Sequence, residues 1–81
     1  MITIEAFIEK LEEEFEDIEK GTLHPDFDYR KIENWGSMHA LIIIALVDTE
    51  FDISLSGSDL QNTQTINDLY KVIETKMKAS D

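Results

Sequence analysis

The side chains that could do covalent chemistry are few in this sequence of 81 residues. It has no cysteine, two histidines (His24 and His39) and only three scattered glycines. Without cysteine, disulfides, thiolate metal sites and a native thiol nucleophile are excluded. His39 lies two positions after Ser37, but no acid stands helically adjacent to orient its imidazole, so a Ser–His hydrolase is not expected. The glycines form no phosphate-binding loop. These patterns predict no enzyme.

Ser37 is the residue best placed for chemistry, because it opens a long apolar stretch after Gly36. We expect it to act as the N-cap of a helix and to hold its hydroxyl outward. The first backbone amides of a helix are unpaired and carry partial positive charge. A phosphate on the hydroxyl could accept hydrogen bonds from those amides. Ser37 is therefore a candidate phosphate-bearing residue, although most serines at such positions only cap.

Acidic residues dominate the charge of the chain. Eighteen Asp and Glu stand against seven Lys and Arg, which gives a formal net charge of −11. Such a charge argues against nucleic acid or an anionic membrane as partner and favours a partner with a basic patch. Asp48, Glu50, Asp52 and Asp59 have the spacing of calcium-loop ligands, but Ile53 stands where that loop needs glycine. No metal site is predicted.

The segments that must position Ser37 have the sequence patterns of helices. A chain of 81 residues with 42% hydrophobic residues fits one globular domain, residues 1–81. Apolar residues at helical spacing predict an all-α four-helix bundle, with three long helices, one short helix and a long loop between helices 1 and 2. The predicted helices cover about residues 3–19, 37–51 and 58–62, and a fourth begins at Thr65.

Local signals set the predicted helix limits. Thr3 can cap helix 1, and Gly21 is a natural stop after it. Helix 2 is apolar on nearly all sides, which predicts a central helix or one that also presents an apolar face to a partner. Capping boxes are predicted at the starts of helices 3 and 4. The box of helix 3 would pair Ser58 with Gln61, and the box of helix 4 would pair Thr65 with Asp68.

The connection over residues 21–36 is too apolar for a free linker. Its large side chains should plug the ends of the bundle, and a short helical turn is expected around residues 29–33. The residues concerned are Leu23, Phe27, Tyr29, Ile32 and Trp35.

Taken in order, these segments resemble the acyl carrier protein family over about residues 34–75. The family places a serine at the start of a central apolar helix that ends in acids and a phenylalanine. A short link, a short acidic helix and a last amphipathic helix follow. The matching residues are Ser37-Met38; Asp48, Glu50, Phe51 and Asp52; Ile53-Ser54-Leu55; Ser58-Asp59-Leu60; and Thr65-Ile66-Asn67-Asp68.

The resemblance implies that Ser37 carries 4′-phosphopantetheine, attached by a phosphopantetheinyl transferase. The thiol of that arm would hold an acyl group as a thioester, and a loading ligase and an acceptor synthase or transferase would do the chemistry. Gly36 departs from the family, which usually has Asp before the serine. A large aromatic residue two positions before the serine, here Trp35, resembles the pattern of some specialised carriers and points away from bulk fatty-acid synthesis; the alternative is that Trp35 is a simple anchor of the loop.

The family also has acids on helix 2 just after the serine, where this chain has His39 and Ile42. We therefore expect Met38, His39 and Ile42 to form a more apolar contact surface, with Asp48 and Glu50 as the remaining acidic contacts. The alternative is that the long loop covers Ile42, through Trp35 or Tyr29. The exposure of Ile42 discriminates between the two.

Two other functions stay open at the level of sequence. One is an aminoacyl or peptidyl carrier of the same type, and the other is an unmodified acidic helical adaptor that acts by protein binding alone. The beginning of the chain shows no targeting pattern, and the longest apolar run, residues 40–47, is far too short to span a bilayer. A cytoplasmic protein without membrane insertion is expected, and the resemblance implies a monomer.

Overall fold

Four α-helices, α1 to α4, make up most of the chain in the computed structural model, which describes residues 2–15, 18–32 and 35–79. No β-strand is found in these ranges, so the predicted all-α four-helix class is confirmed. The helices, together with one 3-10 turn in the loop, are α1 Ile4–Glu14, the 3-10 turn Tyr29–Lys31, α2 Ser37–Phe51, α3 Gly57–Gln61 and α4 Ile66–Ala79.

Helix α1 begins as predicted but ends early. Thr3 caps it, because the Ala6 amide donates to Thr3 Oγ1 at 3.2 Å. The apolar spacing predicted an end near residue 19, and this is wrong, since the helix ends at Glu14. The chain turns back beyond that point. The buried carboxylate of Glu12 accepts hydrogen bonds from the amides of Gly21 (2.8 Å) and Leu23 (3.0 Å). Part of the predicted extension, residues 16 and 17, lies outside the described residues.

Helix α2 has the predicted limits and runs through the core. Ile43 and Val47 are fully buried, as expected for a central helix. Asp52 ends the helix in the left-handed conformation, with φ 56°, and its amide donates to the carbonyl of Asp48 at 3.0 Å. The link that follows is extended, and its apolar residues Ile53 and Leu55 are buried. The link therefore anchors the end of α2 without forming a strand.

The two C-terminal helices both begin with a capping box. The box predicted at Ser58 is wrong by two residues. Asp59 instead pairs with Ser56, whose amide donates to Asp59 Oδ2 at 2.9 Å. The box predicted for α4 is confirmed by reciprocal bonds between Thr65 and Asp68, at 3.1 and 3.2 Å. The backbone hydrogen bond from Ser56 lowers the pKa of Asp59, and the one from Thr65 lowers the pKa of Asp68.

The loop between α1 and α2 is tied down by its own apolar side chains, as predicted. Leu23, Tyr29 and Ile32 are buried, and Tyr29 to Lys31 form a helical turn within the expected range, of which residue 33 lies outside the described residues. The loop also serves α4. The carbonyls of Pro25 and Phe27 accept hydrogen bonds from the amides of residues 67 and 66, at 2.9 and 3.1 Å. Amides at a helix start have no partner within the helix, so the loop satisfies two of them.

One apolar cluster joins these elements. Helix α1 packs against both α2 and α4, and α3 packs against α4. Burial of each large side chain contributes about 1.5–3 kcal/mol, so the cluster is the main source of stability. Its fully buried aliphatic members are Leu11, Ile43, Val47, Ile66, Leu69 and Ile73. None of the helices in the described ranges has the length and apolar character needed to cross a bilayer.

Candidate functional site

Ser37 is exposed to solvent at the first position of α2. The prediction that it caps the helix is wrong, because Gly36 occupies the N-cap position. The Gly36 carbonyl accepts the first helical hydrogen bonds, from the amides of His39 (3.1 Å) and Ala40 (3.3 Å). The Ser37 hydroxyl makes no hydrogen bond to any described residue. It is therefore accessible to a modifying enzyme.

The start of α2 provides hydrogen-bond donors beside this hydroxyl. Among the described residues, the amide of His39 is the first in the helix with a backbone acceptor. The amides of Ser37 and Met38 precede it, and they are the donors that a helix start leaves without a partner. Their partial positive charge favours an anion at this position. The arrangement is compatible with a phosphodiester on Ser37.

A groove of about 540 Å³ lies beside Ser37, between the loop, α2 and α3. Its volume lies within the range of ligand-binding sites, about 300–1,000 Å³. Most of its walls are apolar, and Arg30 is the cationic residue among those that line it. The lining consists of Tyr29, Arg30, Trp35, Ser37, Ala40, Leu41, Ile44, Gly57, Leu60 and Gln61. The sequence prediction included Ser37 but not the groove, because loop and α3 residues meet there only after folding.

Tyr29 and Arg30 fasten the loop to the end of α3 and so hold one wall of the groove. The buried Tyr29 hydroxyl donates to the Leu60 carbonyl at 2.6 Å and also contacts the Thr63 hydroxyl at 2.6 Å. Arg30 Nη2 donates to the carbonyls of Leu60, Gln61 and Thr63 at 2.7 to 2.8 Å. A cation at the carboxyl end of a helix is also favoured by the helix dipole.

Two large apolar side chains stand exposed on α2 next to Ser37. Met38 is 72% exposed and Leu41 is 63% exposed. They are three residues apart, so they are neighbours on the helix surface. Of the predicted partner-contact residues, Met38 is thus accessible, and Asp48 and Glu50 are exposed near the other end of α2. Leu41 was not predicted, although the helical spacing from Met38 could have indicated it.

The other two predicted contact residues, His39 and Ile42, are half-buried. The His39 ring packs between those of Phe15 and Trp35, with centroid distances of 5.4 Å to each. Ile42 packs against the core and shares a shallow groove with Glu14 of α1, and neither Tyr29 nor Trp35 lines that groove. The exposed apolar surface is therefore Met38 with Leu41, and His39 and Ile42 contribute only their accessible edges.

Comparison with known proteins adds no relative. No protein-family model matches the chain, and neither the curated proteins nor the solved structures give a match. The function is therefore inferred from the residues and their arrangement.

Proposed function

We propose that this protein is an acyl carrier in which Ser37 bears a 4′-phosphopantetheine arm. The observation that carries the proposal is the exposed Ser37 hydroxyl at the start of α2, which makes no described hydrogen bond and adjoins the groove. A transferase would join the Ser37 oxygen to the pantetheine-side phosphorus of coenzyme A. The pyrophosphate bond then breaks, the adenosine-containing half leaves, and a base of the transferase takes the hydroxyl proton.

The residues around Ser37 fit such a group. The amides of Ser37 and Met38 can donate to its phosphodiester, and the groove offers an apolar bed for the arm or its cargo. When bound, the arm supplies the thiol that holds cargo as a thioester. The chain itself has no cysteine, so its own side chains offer no competing thiol. The protein would position the cargo while partner enzymes carry out the reactions.

Helix α2 offers the surface on which those partners would dock. Met38 and Leu41 are exposed beside Ser37, and Asp48 and Glu50 lie exposed near the end of the same helix. A transferase, a loading ligase and an acceptor synthase or transferase would each need an apolar contact flanked by basic residues. Because exposed charges are screened by salt, the acidic part of this contact should weaken as ionic strength rises. An aminoacyl carrier would use the same surface.

Intact-mass measurement tests the proposal directly. The chain is co-expressed with a broad-range phosphopantetheinyl transferase, and its mass should rise by one phosphopantetheinyl group. Ser37→Ala should abolish the increase. Ser54→Ala is the matched control, because Ser54 is also an exposed serine but lies in the link after α2. An increase that survives Ser37→Ala, or that is lost in Ser54→Ala, would contradict the assignment to Ser37.

A second candidate function is an unmodified adaptor that works by protein binding alone. Gly36 favours it, because the carriers that this sequence resembles usually place an acid before the serine. The exposed Met38 and Leu41 side chains would serve an adaptor equally well. No mass increase with several different transferases, in a chain shown to be folded by circular dichroism, would favour the adaptor over the carrier.

A further inference from the structure

We infer that the groove beside Ser37 binds a compact apolar group that ends in a carboxylate, and that Arg30 holds the carboxylate. The inference deepens the proposed function, because on a carrier this group would be the cargo, namely an acyl chain with a second, distal carboxylate. The groove itself exists without modification of Ser37. The binding can therefore be examined with the unmodified chain.

The walls of the groove account for the apolar body of the ligand. Trp35, Leu41 and Ile44 line it from the loop and from α2, and Leu60 lines it from α3. Leu41 remains 63% exposed although it adjoins the groove. An apolar ligand would cover part of this surface, and the removal of apolar area from water favours binding. The limited volume of about 540 Å³ indicates a short group.

Arg30 would bind the carboxylate at the charged end of the ligand. The described hydrogen bonds of its guanidinium all come from Nη2, which donates to three backbone carbonyls. A guanidinium has five N–H donors, so the donors on Nε and Nη1 can serve a ligand. The carbonyl contacts already hold the side chain in place, which lowers the entropic cost of pairing with a carboxylate. Arg30 thus combines a positive charge with a fixed position at the groove.

Because the chain as a whole is negatively charged, a preference for an anionic ligand is a specific sign of Arg30. A formal charge of −11 repels anions from the molecule as a whole. A neutral ligand of the same shape would meet no such repulsion. Preference for the anionic ligand over its neutral counterpart therefore requires a local cation, and Arg30 is the cationic residue among those lining the groove.

The experiment compares hexanoate with hexanamide, two probes that differ little in shape but differ in charge. Trp35 is the single tryptophan of the chain and lines the groove, so its fluorescence reports binding. At low salt, hexanoate should bind about three- to fivefold more tightly than hexanamide, as expected for a partly exposed ion pair. The ratio should approach one as salt is added. A ratio of one or below at low salt overturns the inference.

Two variants test the role of Arg30. Arg30→Gln should remove the preference for hexanoate, and Lys71→Gln, which removes an exposed charge on α4, should preserve it. Because Arg30 also braces the loop, Leu41→Glu gives a second test that leaves the bracing intact. It places an anion at the groove on an exposed position and should reduce hexanoate binding more than hexanamide binding. Equal effects of Arg30→Gln and Lys71→Gln on the preference would contradict the inference.

The binding experiment and the mass measurement at Ser37 can succeed or fail independently. Hexanoate binding needs no phosphopantetheine, and the mass increase at Ser37 does not need Arg30. A chain that is modified but shows no carboxylate preference keeps the carrier function and loses the inferred cargo class. A chain that shows the preference but is never modified keeps the binding site and loses the carrier function.

Discussion

Loss of the Tyr29 hydroxyl together with the Arg30 guanidinium should destabilise the protein by more than the sum of the two single losses. Both groups donate to the Leu60 carbonyl, at 2.6 Å from the Tyr29 hydroxyl and 2.7 Å from Arg30 Nη2. In either single variant the other donor remains. In the double variant the carbonyl keeps only its longer contacts, with the Thr63 hydroxyl at 3.2 Å and the Thr63 amide at 3.4 Å. The loop would then lose its main attachment to α3.

The expected magnitudes follow from these contacts. Tyr29→Phe removes a buried hydroxyl with two contacts of 2.6 Å, which should cost about 1–2 kcal/mol, at about 0.5–1.5 kcal/mol for each hydrogen bond. Arg30→Gln should cost about 1 kcal/mol, because this side chain is exposed and solvent replaces part of its interaction. The double variant leaves a buried carbonyl poorly paired, which should add about 1 kcal/mol of coupling.

Urea unfolding followed by circular dichroism measures all four free energies of unfolding in the cycle. A control cycle combines Tyr29→Phe with Glu5→Gln, which changes an exposed residue in the first turn of α1. That pair should be additive within about 0.5 kcal/mol. Additivity of the Tyr29 and Arg30 variants within the same limit would refute the shared-acceptor argument, as would a neutral Tyr29→Phe.

Two further predictions concern carboxylates. Glu12→Gln should cost about 1–2 kcal/mol in a urea titration, because the buried carboxylate makes charge-assisted bonds to two loop amides, whereas exposed Glu13→Gln should stay within about 0.5 kcal/mol. Equal losses would contradict this. The backbone hydrogen bond from Thr65 lowers the pKa of Asp68 below its usual 3.8, so the stability it confers is present above 3.8 and is lost as the pH falls through the folded-state pKa. The gap in stability between the wild-type chain and Asp68→Asn should therefore shrink in acid, and a gap that stays constant would contradict this.

The sequence predicts most of the fold because the helix signals here are local. The apolar spacing of α4 and the reciprocal Thr65–Asp68 cap act within a few residues, and both are found as predicted. Local signals alone do not fix the start of α3. Ser56 and Ser58 each precede a suitable partner by three residues, and the carboxylate of Asp59 is the stronger acceptor. The box therefore forms at Ser56.

The end of α1 could not be predicted from spacing, because its cause is distant in sequence. The apolar positions continue past Glu14, and Ile18 still packs against the core. The helix nevertheless ends there, and Glu12 instead binds amides nine and eleven residues further on. Gly21 supplies the backbone with φ 93° that this return requires. A side chain that accepts from a returning loop leaves no periodic signal in the sequence.

Which face of α2 is exposed could not be predicted from the sequence either, and the reason bears on function. The helix is apolar on nearly all sides, so its sequence alone gives no direction for the core. The loop sets which side of α2 faces the core, because Trp35 packs on both Tyr29 and His39 and covers that side of the helix. Met38 and Leu41 are left on the open side, next to Ser37. The same loop that covers one face of α2 thus builds the groove with Arg30 and leaves the Ser37 hydroxyl accessible, so the proposed attachment point, the groove and the proposed contact surface depend on one segment.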